Sequence, residues 1–144
     1  GCWCAEALVF FRTDLAKQLP FIRKRAAQLF SKTRFIAAQF HAYLDNDLWI
    51  DLARHANKMA VQLVAAIGAS AHVELAWPCQ SNELFVTMPT TLADQLKVEG
   101  VHFYPWPVPA DFAARLAPDH GLYRLVTSFA TEPTEVDRFK ELIG

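Results

Sequence analysis

Apolar side chains recur along the first half of the chain at helical spacing. Ile22, Ala26, Leu29, Phe30, Thr33, Ala37, Phe40 and Leu44 follow three-and-four steps and predict one long amphipathic helix over residues 21–44. A second stripe, Leu48, Leu52, Ala56, Met59, Ala60, Leu63 and Ile67, predicts a helix over 47–67. Asp45 or Asn46 is its expected cap and Gly68 its expected stop. Ahead of both, residues 6–11 form a nearly unbroken apolar run bounded by Arg12 and Thr13, which reads as a buried-type strand. Thr13 or Asp14 is placed to cap a short helix ending near Pro20. A chain that enters directly into a buried strand predicts that the strand's partners lie outside these 144 residues.

The pattern changes after residues 67–71. "HVELAW" and "NELFVTMP" are short β-type runs separated by the turn-rich "PCQS". "TLADQLKVEG" is a short helix closed by Gly100, and "VHFYPWP" is a strand stopped by its prolines. The stretch from Val108 to Gly121 is irregular or briefly helical. "LYRLVTSFA" is the last strand, and "TEVDRFKELI" a terminal helix with Thr131 or Thr134 as its expected cap. Helices followed by a small antiparallel or mixed sheet with covering helices make an α/β fold.

A hydrophobic fraction of 53% with 20% charged residues is that of a globular chain able to bury a core. The formal charge of −1 argues against a general nucleic-acid binder. No apolar run is long enough to span a bilayer, so no membrane partner is expected. Three cysteines, without a recognisable secretory signal, point to a reducing cytoplasm. Cys2 and Cys4 lack a second ligand pair at metal-binding spacing, and no metal is expected. The histidines at 41, 55, 72, 102 and 120 form no catalytic set, and no glycine-rich phosphate loop occurs.

Against that neutral balance, five of the fourteen basic residues fall between Arg23 and Arg34, and no acid occurs between Asp14 and Asp45. On an unbroken helix Arg23 and Arg34 lie on one flank of the stripe, Arg25 and Lys32 on the other. They cannot converge on one anion unless the helix breaks between them. They are otherwise solvated flanks of a buried stripe. Phe21 and Phe35 lie away from the stripe, and aromatics beside arginines are typical of a subunit interface. Arg124 sits among Leu122, Val126 and Phe129 in a mostly buried strand that contains no acid. A cation there needs a counter-charge, either an acid distant in sequence or the carboxylate of a ligand.

The segments "AEALVFF", "RKRAAQLFSKTRFIAAQFHAYL", "DLWIDLARHANKMAVQL", "HVELAWP", "NELFVTMP" and "YRLVTSFAT", in this order, resemble the low-specificity L-threonine aldolases. These are pyridoxal-phosphate enzymes of the aspartate aminotransferase-like fold type I, and the resemblance is to their C-terminal part. Thr33, where methionine is usual, and the proline-rich stretch from Pro105 to Pro118 depart from the family pattern. The resemblance implies that residues 1–45 are the end of a large cofactor-binding domain with interface helices, and 46–144 a small C-terminal α/β domain. It implies an amino-acid substrate and a homo-oligomer, dimer or tetramer. Arg124 is then the receptor for the substrate α-carboxylate. Arg34 reaches the cofactor phosphate of the neighbouring subunit, with Arg25 or Lys32 as second candidates. The lysine that forms the Schiff base with pyridoxal 5'-phosphate is expected just upstream of Gly1, so the isolated chain is expected to be inactive. The competing expectation is a non-catalytic piece that serves as a structural or dimerisation module.

Overall fold

The structure is a computed structural model and describes residues 2–144. Gly1, just upstream of which the lysine is expected, lies outside the described residues. Contacts divide the chain into two compact units, Gly1–Trp49 and Ile50–Gly144.

The first unit is helical. Residues 6–11 form no strand. An extended run becomes a strand only when its N–H and C=O groups find a partner, and the described residues place none beside it. Its side chains are correspondingly open, with Phe11 97% exposed. Helices α1 (Thr13–Ala16) and α2 (Leu19–Arg25) follow, the latter with Pro20 in its first turn, where a missing N–H costs nothing. The single helix expected over residues 21–44 is two. After α2 the chain turns through Ala27 at φ 55°, and the Arg23 Nε donates to the Gln28 carbonyl at 2.9 Å across the break. Helix α3 (Thr33–Leu44) then begins afresh. A short 3-10 turn at Asp45–Asp47 holds Asn46 and Asp47 in the left-handed region that short polar side chains tolerate.

The second unit carries the core. Helix α4 (Leu48–Gly68) buries Ala56, Met59, Ala60, Leu63 and Ile67 of the expected stripe, and Ala66 besides. Gly68 stays within the helix rather than ending it in a left-handed cap. The sheet is antiparallel throughout, in the order β1 (Glu74–Leu75), β2 (Glu83–Pro89), β4 (His120–Val126), β3 (Tyr104–Pro105). Strand β3 is much shorter than expected because proline cannot donate to a ladder. Helix α5 (Thr90–Val98) follows β2, and α6 (Pro133–Leu142) follows β4. The α6 cap is neither threonine: the Glu135 carboxylate accepts the Glu132 N–H at 2.8 Å instead.

Alternation along β2 and β4 separates two faces. Leu84, Val86, Met88, Tyr123 and Leu125 pack into one cluster with residues of α4, α5 and α6, so α4 and the sheet share one core. The compositional change near residues 67–71 is therefore no boundary between compact units. Glu83, Phe85, Leu122 and Arg124 occupy the opposite positions, where Leu122 packs with Ala76 and Phe112 in a second, smaller cluster.

Candidate functional site

Arg124 lies in the middle of β4, opposite Phe85 on one side and Tyr104 on the other. Side chains directly opposite and diagonal to it on this face are within reach, and both of its contacts are diagonal. On β2, Glu83 pairs with Val126 in the ladder, and its Oε1 stands 3.2 Å from Arg124 Nη1. Beyond β3, the Trp106 N–H donates to the Leu122 carbonyl at 2.8 Å, which brings its indole under the guanidinium, 4.8 Å from ring centroid to Cζ. Trp106 packs edge-on against Phe85, which packs the same way against Trp77.

The counter-charge of Arg124 within the chain is thus an acid distant in sequence. The pair is not sealed, since the Arg124 and Glu83 side chains remain 33% and 38% exposed. Arg124 Nε is buried and has no hydrogen-bond partner among the described residues. Arg124 thus combines a buried Nε that lacks a partner with a side chain that remains one third exposed, an arrangement chemically able to take a carboxylate.

Sequence reasoning missed Glu83 and Trp106. The signal for Glu83 was present, since it is the one acid of "NELFVTMP" and shares its alternation class with Phe85. Only the β2–β4 register shows that this class faces Arg124. It also missed the clamp that holds the end of β4. The Thr127 hydroxyl is buried and donates to the Ala56 carbonyl on α4 at 2.8 Å, while Asn82 Nδ2 donates to the Thr127 carbonyl at 2.7 Å.

The three cations expected at the cofactor phosphate flank the α2–α3 break in sequence. Arg25 ends α2, Lys32 is the N-cap residue of α3, and Arg34 is its second residue. All three are exposed, and Arg34 lies over the Phe35 ring at 4.8 Å. The break removes the geometric objection to convergence that a continuous helix imposes. The first turn of α3 contains no acid and no side-chain cap, and although the Phe35 N–H donates to the Lys32 carbonyl at 3.1 Å, the Thr33 and Arg34 N–H groups and two cations adjacent in sequence are of the kind that suits a phosphate. Those features fit the phosphate end of the cofactor that the resemblance implies. Among the described residues no group of three His, Cys, Asp or Glu side chains is placed to hold a metal ion. No described helix is long and apolar enough to cross a membrane.

No protein-family model matches the chain. Over 104 residues, 72% of this chain, it is 35% identical to the low specificity L-threonine aldolase of Pseudomonas aeruginosa and 34% identical to that of another Pseudomonas species. It spans 30% of the length of these relatives. The structure of Leishmania major threonine aldolase superposes with a TM-score of 0.78 at 30% identity, covering 93% of this chain and 36% of that one. Glycine decarboxylase, the P-protein of the glycine cleavage system, shares the fold at 19% identity, covering 88% of this chain and 30% of that one, with a TM-score of 0.56. S. venezuelae DesV shares it at 13% identity, 94% and 44% coverage and a TM-score of 0.61. Over most of its own length the chain is therefore similar to a stretch of the low-specificity L-threonine aldolases that makes up 30% of the curated relatives, and it has the α/β architecture of fold type I enzymes.

Proposed function

We propose that the chain is the C-terminal part of a pyridoxal-phosphate-dependent lyase that cleaves β-hydroxy-α-amino acids to glycine and an aldehyde. The observation that carries this reading is Arg124: a half-open guanidinium on a sheet face, stacked on Trp106, with a buried Nε that lacks a partner. Arg124 holds the α-carboxylate of the amino acid and thereby sets how the Cα–Cβ bond stands relative to the cofactor. Arg34, with Lys32 or Arg25 beside it, holds the cofactor phosphate of a neighbouring subunit in a homo-oligomer. Pyridoxal phosphate, when bound, supplies the electron sink for the carbon–carbon cleavage. The residues divide as end of the large domain, 1–45, and small domain, 46–144, and the three free thiols suit a cytoplasmic enzyme.

The lysine that carries the cofactor is proposed to come from outside these 144 residues. Lys24, Lys58, Lys97 and Lys140 lie within helices, and Lys17 and Lys32 at helix ends. None of them stands in a turn leading into a strand. The 144-residue chain alone is accordingly expected to retain no cofactor absorbance after dialysis and to cleave no threonine.

The reading is tested in the complete enzyme by two variants with opposite signatures. Arg124→Ala is expected to raise KM for threonine at least tenfold with the cofactor absorbance intact, the loss of one charge-assisted contact. Arg34→Ala is expected to weaken cofactor retention instead. An Arg124→Ala enzyme with unchanged KM removes Arg124 from the site.

A second reading, a non-catalytic structural or dimerisation module, is favoured by one observation. The first unit exposes Trp3, Phe11, Phe21 and Phe35 beside its cations. A complete protein that self-associates but binds neither pyridoxal phosphate nor threonine would select it.

A further inference from the structure

Glu83 stands where an incoming carboxylate would have to bind. Its Oε1 lies 3.2 Å from Arg124 Nη1, while Nε of the same guanidinium stays buried and unbonded among the described residues. A strongly held guanidinium–carboxylate pair is frequently bidentate, with two parallel N–H···O bonds, whereas the approach here is through Nη1 alone. Here the plane of the guanidinium is held by a different contact, the Trp106 ring 4.8 Å away, and Trp106 is itself fixed by its N–H bond to Leu122 and its packing on Phe85. Orientation therefore comes from Trp106 and charge balance from Glu83. A pair this exposed is held weakly and exchanges with competing ions.

We propose that Glu83 is a resident counter-carboxylate, which neutralises Arg124 in the free protein and is displaced when the α-carboxylate of an amino acid binds. The inference rests on the reading of Arg124 as the carboxylate receptor. Glu83 keeps the orphaned guanidinium from being an uncompensated charge on an aromatic face. It also lowers the affinity for every carboxylate ligand, because each must break the resident pair first. In this role Glu83 acts through Arg124 and touches no reacting atom, so it is a positioning residue.

The test uses the complete enzyme, with L-threonine and L-threonine amide, which lacks the carboxylate, as probes. Glu83→Gln, an isosteric change at a partly exposed position, is expected to lower KM for L-threonine about two- to fivefold and to leave the apparent affinity for the amide unchanged. Arg124→Ala is expected to abolish the preference for the acid over the amide, and adding Glu83→Gln to it is expected to change nothing further. An unchanged KM for L-threonine in Glu83→Gln overturns the displacement and leaves Arg124 as receptor. An Arg124→Ala enzyme that still prefers the acid overturns both.

Discussion

At the scale of single residues, the Tyr123 ring folds back over Gly121 and constrains the chain there. A Cβ built on Gly121 would stand 2.5 Å from the Tyr123 hydroxyl and 2.6 Å from its Cζ. Tyr123 cannot swing aside freely, because it packs edge-on against Phe103 at 5.4 Å inside the main cluster. Gly121→Ala should therefore destabilise the second unit by about 1–3 kcal/mol, read as a lower urea midpoint. Burial also raises the Tyr123 phenol above its ordinary value of 10.0. The folded chain thus favours the neutral phenol more strongly than the unfolded chain does. Its contribution is complete below about pH 10 and is lost as the pH climbs from there towards the raised folded value. Between about pH 9 and pH 11 the wild type should lose more stability than Tyr123→Phe. A Tyr123→Phe chain with the same alkaline loss would show that other groups account for it. Neither constraint is visible in "HGLYRL", where a glycine two places before a tyrosine carries no signal of the close approach.

At the scale of elements, local rules hold wherever the chain meets only its own neighbours. Helix α5 ends as its sequence predicts. Gly100 takes φ +86°, its N–H donates to the Lys97 carbonyl at 3.1 Å, and the Val101 N–H donates to the Leu96 carbonyl at 2.9 Å. Nothing lies within 4 Å of a Cβ added there, so Gly100→Ala would meet backbone strain alone. It should cost about 1 kcal/mol, measured by chemical denaturation, and leave the sheet unchanged. The same rules fail between residues 21 and 44. Apolar spacing continues smoothly across Ala27, yet the backbone leaves the helical region there. Alanine is a strong helix former, and nothing in "RKRAAQLF" marks a stop. Residues 6–11 fail differently: their composition suits a strand, but a strand exists only as a pair.

At the scale of the whole molecule, burial is uneven. Every buried residue among those described lies between Ala56 and Ile143, within the second unit. The first unit has helices but no buried side chain to hold them. Helices of 4 to 12 residues without tertiary packing are marginal in water. Amide exchange should therefore protect β2, β4 and the middle of α4 strongly, while amides of α1, α2 and α3 exchange early. Strong protection across α3 in the isolated 144-residue chain would show that its helix is held by contacts beyond those described.

The residue pattern alone establishes the order of the elements from α4 onward, the α4 stripe, the antiparallel-capable strands of the second half, and the presence of one cation in an apolar strand. Each depends on spacing along the chain or on a residue's cost of burial, and both are local properties. It also carried the family resemblance, through "RKRA" to "RFIAAQ" and "RLVTSFAT", which the comparisons with curated and solved relatives support. What Arg124 meets depends on the pairing of strands far apart in the chain. Glu83 lies 41 positions away and Trp106 lies 18 away, and they converge on one guanidinium because β2, β4 and β3 adopt one register and not the next. A shift of one residue would turn Glu83 into the core and leave Arg124 without it, so register, which is set by the packing of the whole sheet, is what makes the site.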